Sequence, residues 1–339
     1  MITVLVTGAG GGVGQGIIKS LKMISDLEIR VIAADMSVLA TGLYAGDIAC
    51  LVEHCASPAY KDSLARIFNT YRVDFYVPGT DVELGFCAEN KTLILEKFGV
   101  ETIISSANTI SIADDKFKTY EFLKKSRLNY PDTKKLCDYA EGDFDFPVIV
   151  KPAVGCRSIG VKKILNAKSL EPFLSSSAGL IIQRYIEGDD REYTCTLVKV
   201  ADDLSPVVVL QRELRSGDTY RANPVKSELI EDYVEQIAKN LNIEGGCNFQ
   251  LRIDEHGIPL LFEINSRFSG TTPLCAQLGF NPVEYYLKKK IGQNIDVVVD
   301  YNSYVLRYWA EVLVPKGQMT TLARNKNLTP RLSSQFRLY

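Results

Sequence analysis

Short apolar, β-branched runs alternate with helical patterns through the first third of the chain. ITVLVT at 2–7 reads as a buried strand. A glycine-rich loop follows, then a helix with Ile17, Ile18 and Leu21 on one face. RVIAAD (30–35), DFYVPGTD (74–81) and VETIIS (100–105) predict further strands, and 58–71 and 82–98 read as helices. Strands alternating with helices predict a doubly wound parallel sheet, placed here at 1–113. Beyond it the pattern changes. Asp114-Asp115-Lys116 offers an N-cap for a helix through Lys125, and FPVIVKPAVGCRSIGVKKIL (146–165) reads strand, glycine-containing loop, strand. SAGLIIQRYIEG (177–188) is a strand running into a polar hinge. REYTCTLVKV and SPVVVLQREL are strands, and Glu228–Asn240 is a strongly amphipathic helix. Residues 249–265 form two strands around a polar turn, 281–291 a helix, and YVLRYWAEVLVP (304–315) a late strand. The predicted segments are 1–113, 114–186 and 187–339, the last ending in a weakly patterned tail from Lys316.

Composition narrows the class. At 339 residues the chain is too long for one core, and its 46% hydrophobic and 24% charged content is that of an ordinary globular enzyme. A formal charge of −2 supplies no basic footprint for nucleic acid. No apolar run reaches the length of a bilayer span, and the amino terminus lacks the pattern of a secretory signal. Eight cysteines without a CxxC pair read as reduced thiols, hence a cytoplasmic location. Only His54 and His256 are available as imidazoles, and His256 falls in the predicted turn Asp254–Gly257, so neither a Cys–His couple nor a zinc site is supported.

The richest chemistry lies in FQLRIDEHGIPLLFEINSRFSG (249–270). Strand residues two apart share a face, so Glu263, Asn265 and Arg267 project together beside Gln250 on the neighbouring strand. Oxygen donors beside a fixed cation suit Mg²⁺ and phosphoryl oxygens. The start of the chain offers a rival reading. Thr7, Gly8, Gly11 and Gly14 fit TGxxGxxG, Asp35 closes the second strand where a ribose-binding acid often sits, and Tyr120 and Lys124 fit YxxxK. Those features suit an NAD(P)-dependent oxidoreductase of the short-chain type. They equally suit a tight strand–helix turn with Asp35 as its cap and a surface Tyr–Lys pair.

Taken in order, these pieces resemble the ATP-grasp superfamily, in particular its carbamoyl-phosphate-synthetase-like carboxylate–amine ligases, over roughly residues 1–315. The resemblance implies an α/β and α+β chain. A Rossmann-like pre-ATP-grasp domain (1–113) would precede a two-lobed ATP-grasp domain, its small lobe at 114–186 and its large lobe with the tail at 187–339. It further implies ATP with Mg²⁺, for which Mn²⁺ can stand in. Lys116 and Lys151 match the phosphate-binding lysines, and Gly155, Arg157, Ser158 and Gly160 the loop that closes over the triphosphate. Gln183, Arg184, Tyr185 and Ile186 match the adenine hinge, and Glu192 an acid near ribose or metal. Gln250, Glu263 and Asn265 match the metal ligands, and Arg267 the arginine that steadies the acyl phosphate.

The implied reaction is phosphorylation of a carboxylate to an acyl phosphate, then capture by an amine, with amino acid-like substrates. Asp81 and Glu83 after a first-domain strand, Arg215 and Arg221 in the 212–221 loop, and Gly11 and Gly12 are the candidates for holding them. Members of this family are often homodimers. The chain has room for a single ATP-grasp unit and no glutaminase segment, and a nucleotide-binding regulator without turnover is the remaining alternative.

Overall fold

The computed structural model describes residues 1–155, 159–188 and 191–331. Its first sheet is built from β1 (Ile2–Val6), β2 (Ile29–Asp35), β3 (Ile48–Leu51), β4 (Phe75–Val77) and β5 (Glu101–Thr102), with helices α1 (Gly12–Lys22), α2 (Tyr60–Thr70) and α3 (Leu84–Phe98) between strands. The strands pair in parallel in the order β3-β2-β1-β4-β5, the doubly wound arrangement expected. The sheet buries both faces. Val4, Val6, Val31 and Ala33 pack toward α1, while Leu5, Ile32 and Tyr76 face the core under α2 and α3. This is why the strands read as continuous apolar runs. Strand β3 escaped the sequence reading because IACL is only four residues long.

Two helices, α4 (Ala107–Asp114) and α5 (Lys116–Lys125), lead out of this sheet. Asp115 caps the second, its side chain accepting from the amides of Phe117 and Lys118. A four-stranded sheet follows, β6 (Thr133–Lys135), β7 (Val148–Pro152), β8 (Lys162–Ile164) and β9 (Leu180–Arg184), in the order β6-β9-β7-β8, with α6 (Ala167–Leu174) beside it.

The third sheet contains β10 (Glu192–Val200), β11 (Asp203–Leu204), β12 (Val208–Arg215), β13 (Asp218–Val225), β14 (Gly245–Ile253), β15 (Pro259–Asn265) and β16 (Val305–Leu306), interrupted by α7 (Glu228–Leu241). Its order is β15-β14-β10-β12-β13-β16, with β11 at the side of β10. One face is apolar. Cys195, Leu197, Val209, Phe249, Leu251, Leu261 and Ile264 pack against Ile230, Val234, Ile237 and Leu241 of α7. Because strand side chains alternate, the polar positions between them face the other way, toward the small sheet.

After α8 (Thr272–Gln277) and α9 (Pro282–Lys290), the chain runs past β16 to α10 (Lys316–Asn325) and β17 (Asn327–Leu328). Strand β17 pairs antiparallel with β3, and Leu322 is buried in the core of the first sheet. The tail assigned by sequence to the large lobe therefore packs on the first domain. The late strand expected at 304–315 is reduced to Val305–Leu306, with Tyr308 and Trp309 exposed. Val305 and Leu306 pair with Ala222 and Arg221 at the sheet edge, and the Arg307 amide donates to the Tyr220 carbonyl at 3.0 Å.

The loop after β4 shows how the first domain is braced. Glu83 is 2% exposed. One carboxylate oxygen accepts from the amides of Gly79 and Thr80 and the Thr80 hydroxyl. The other accepts from Thr7 at 2.7 Å, Tyr60 at 2.6 Å and Tyr76 at 3.0 Å. A carboxylate saturated in this way cannot hold a substrate amino group, which corrects the expectation for Glu83. Its removal strands several buried donors at once. Glu83→Ala is expected to lower unfolding free energy in urea by at least about 3 kcal/mol, at roughly 1–3 kcal/mol per orphaned group. A loss below about 1 kcal/mol would contradict this account.

Candidate functional site: a cation-lined cavity between two sheets

The small sheet and the polar face of the large sheet enclose a cavity of about 210 Å³. Lys116, Lys151, Gly155, Gln183, Arg184, Tyr185, Ile186, Glu192, Gln250 and Glu263 all line it. The sequence candidates from separate parts of the chain thus converge on one space. Arg212 and Arg252, which the sequence reading did not single out, line it as well.

Lys151 sits on β7 and is 5% exposed. Its Nζ donates to Gln183 Oε1 at 2.8 Å and lies 5.6 Å from the Phe262 ring centroid. Burial, followed by the nearby Lys116 charge, pushes its pKa down to about 7, with Glu263 pulling the other way. The Gln183 amide donates in turn to the Thr133 hydroxyl at 2.8 Å. Gln183 was expected to accept from a ligand amino group. Its oxygen instead orients Lys151. Lys116, at the start of α5, is 7% exposed and donates to the Gly155 carbonyl at 2.7 Å.

On the opposite wall Glu192 joins two guanidinium groups. Arg212 Nε and Nη2 donate to its Oε1 at 3.0 and 2.8 Å, and Arg252 Nε and Nη2 to its Oε2 at 3.0 and 2.7 Å. Arg212 Nη2 also donates to Gln250 Oε1 at 2.8 Å. The expected metal-ligand oxygen of Gln250 is therefore engaged by a cation. Glu263 stands opposite Gln250 in the β14–β15 ladder, whose register shifts just after Gln250. Bulges of this kind re-aim side chains beside functional sites. Asn265 Nδ2 donates to Glu263 Oε1 at 3.1 Å, and Asn265 Oδ1 accepts from Arg267 Nη2 at 3.0 Å.

Arg267 reaches the first domain. Its Nε and Nη2 grip Asp81 Oδ1 and Oδ2 at 2.6 and 2.8 Å, a bidentate pair, and Nη1 donates to the Phe268 carbonyl. A small second recess, lined by Asp81, Asp114, Lys116, Gly155, Glu263 and Asn265, adjoins this pair and shares Lys116, Gly155 and Glu263 with the main cavity.

Tyr185 borders the cavity with Lys163 Nζ 3.7 Å over its ring, and Ile186 offers its carbonyl to Arg252. Arg184 bonds Asp254 at 3.2 Å. Gly160 adopts a positive φ beside Pro152, while Arg157 and Ser158 lie outside the described residues. Arg215 stacks 4.3 Å from the Trp309 ring and Arg221 pairs with Glu213, both on the exposed β12–β13 hairpin, so neither is among the residues lining the cavity.

The glycine-rich loop is tight packing. A Cβ on Gly14 would fall 2.2 Å from the Gly8 carbonyl. Gly11 donates its amide to Gly8, and Gly12 opens α1 without lining either recess. Asp35 accepts from the Gly10 and Ser37 amides. Tyr120 and Lys124 are an exposed surface pair at 3.2 Å. The supports of the oxidoreductase alternative are thereby taken up by the chain itself.

Comparison with known proteins agrees. An ATP-grasp domain model matches residues 113–271, and a PylC-like N-terminal domain model matches residues 4–103. The chain is similar to the carbamoyl phosphate synthase large chain of Thermoanaerobacter sp. (strain X514), 27% identical over 241 residues, covering 62% of this chain and 22% of that protein. It thus spans about a fifth of the length of that relative. Among solved structures, it resembles N5-carboxyaminoimidazole synthetase from Staphylococcus aureus complexed with ADP. The TM-score is 0.71 at 15% identity, over 96% of this chain and 85% of that one. It also resembles L-amino acid ligase from Bacillus licheniformis, with TM-score 0.65 at 17% identity over 85% and 74%.

The burial of Lys151 has a consequence for stability. Its folded pKa of about 7 lies below the ordinary value of 10.5. Between those two values the unfolded chain holds a proton that the folded chain has released. The parent is thus penalised fully below pH 7 and recovers as pH rises toward 10.5. Lys151→Met removes the penalty. The variant is expected to melt above the parent at pH 7, with the gap narrowing at pH 9.5. A gap that is absent at pH 7 or widens with pH would overturn this reading of Lys151.

Proposed function

We propose that this chain, which belongs to the ATP-grasp superfamily, is an ADP-forming ligase that activates an amino acid-like carboxylate as an acyl phosphate and joins it to an amine. The observation that carries the reading is the cavity itself. Lys116, Lys151, Arg212 and Arg252 line it, while Glu192 and Glu263 are the acids among its described lining residues. Such an excess of buried cation suits a polyphosphate. The hinge residues Gln183–Ile186 lie at its rim, where an adenine would fit between Tyr185 and the large sheet.

Roles follow from this placement. Lys151 and Lys116 hold phosphate oxygens, with Gln183 and the Gly155 carbonyl setting their directions. Glu263 and Asn265, a carboxylate and a carboxamide on one strand face, fit a hard divalent cation. Mg²⁺ or Mn²⁺ bound there would supply charge neutralisation to the phosphoryl group. The carboxylate and then the amine enter through the recess beside Asp81 and Asp114. Arg267, held flat by Asp81, stabilises negative charge as the acyl phosphate forms and as the amine attacks. No histidine takes part, in keeping with the exposed turn position of His256.

An L-amino acid ligase among the structural relatives supports amino acid-like substrates. No described helix is long and apolar enough to cross a membrane, and the scattered thiols support a cytoplasmic location. Residues 1–113, 114–186 and 187–339 remain our proposed division, amended by the return of β17 to the first sheet.

ADP release with Mg²⁺-ATP and pooled amino acids, with and without hydroxylamine, tests the reading. A hydroxamate that depends on the pool is expected, and is lost in Lys151→Ala and Glu263→Gln. Arg267→Met should lower kcat by about 10²–10³-fold, the usual loss of a preorganised donor. Nucleotide turnover that never yields a hydroxamate with any carboxylate would contradict it.

A further inference from the structure

The cavity offers oxygen ligands unevenly. Glu263 and Asn265 present a carboxylate and a carboxamide from alternate positions of β15. Asn265 Oδ1 also accepts from a guanidinium, Arg267 Nη2, but Asp81 neutralises that group through a bidentate pair of its own, whereas Arg212 shares Glu192 with Arg252. The next oxygen along the wall, Gln250 Oε1, accepts from Arg212 Nη2, which also bonds Glu192. Arg212 is anchored on two sides and only 7% of its side chain is exposed. Among the described residues, no cluster of three or more His, Cys, Asp or Glu is placed to hold a metal ion. One carboxylate and one carboxamide, completed by phosphate oxygens and water, satisfy one hard cation. A second ion bridging Glu263 and Gln250 would have to displace the guanidinium from Gln250 Oε1 and then sit against its charge. Gln250 brings no negative charge to offset that repulsion.

We propose, on the strength of the ligase reading above, that nucleotide is held here with a single divalent ion on Glu263 and Asn265, and that the Arg212 guanidinium stands in for a second ion. The guanidinium suits the task. It is permanently charged, presents its donors in a fixed plane, and pairs with phosphate oxygens through charge-assisted hydrogen bonds. Glu192 and Gln250 set that plane, and Arg252 neutralises the other half of Glu192. Gln250 is then a positioning residue for Arg212. Glu192 orders both guanidinium groups without touching an ion.

The test is metal stoichiometry, read independently of turnover. Mn²⁺ is titrated into the full chain with a non-hydrolysable ATP analogue, and bound ion is counted by electron paramagnetic resonance. One Mn²⁺ per bound nucleotide is expected, and two would overturn the proposal. Arg212→Met should weaken analogue binding by roughly tenfold or more, the loss of a hydrogen bond to a charged group. Unchanged affinity would also overturn it. The double variant Arg212→Met/Gln250→Glu restores an acid and removes the competing cation, and should take up a second Mn²⁺. Should that variant fail to fold, the parent stoichiometry still decides. If the parent binds no ATP analogue at all, by calorimetry without metal counting, the ligase reading fails and this proposal falls with it.

Discussion

The structure depends on how buried positive charge is kept in one small cavity. Lys116, Lys151, Arg212 and Arg252 line one small cavity, where like charges repel. Glu192 makes two of them tolerable by giving one oxygen to each arginine. Removing one partner of such a buried arrangement is far costlier than its net contribution, because it leaves the other charges uncompensated. Lys151 has no carboxylate in hydrogen-bond contact among its described partners. It leans on Gln183 and gives up part of its affinity for a proton. The protein thus holds one lysine in a state that a polyanion would restore to full charge.

A second constraint links this cavity to the first domain. The bidentate Arg267–Asp81 pair joins the end of β15 to the loop after β4. The same boundary is stitched by Ser105, which bonds the Glu244 carbonyl and amide and receives a bond from Ser266, and by Thr109 on the Leu241 carbonyl. Glu83, saturated beneath that loop, fixes where Asp81 stands. The Rossmann-like sheet therefore acts as a platform for the arginine, and its glycine-rich loop serves close packing of strand against helix.

Much of this was legible in the sequence. The β15 hairpin, the buried run before Lys151 and the Asp115 cap were read from alternation, continuity and spacing, all of which are local signals. What escaped was non-local. Arg212 and Arg252 lie on strands where an arginine reads as a solvated edge residue. Only the meeting of β10, β12 and β14 turns them inward onto Glu192. Gln183 was assigned to the right wall with the wrong partner, since its neighbour Lys151 is 32 residues away. Arg215 and Arg221 were misdirected because the bulge after Glu213 and the exposed Trp309 carry them to the outer hairpin. The late strand fell short for the opposite reason, a strong β pattern whose pairing with β13 covers only Val305 and Leu306.

The central claim is that phosphates complete the charge of this cavity at Lys151. Calorimetry of ADP binding at pH 8, in two buffers of different ionisation enthalpy, measures it directly. With its pKa at about 7, Lys151 is mostly neutral at that pH before ligand arrives. Nucleotide phosphates beside it should drive uptake of about one proton per ADP bound, and Lys151→Met should abolish that uptake. Binding with no proton uptake would contradict the account.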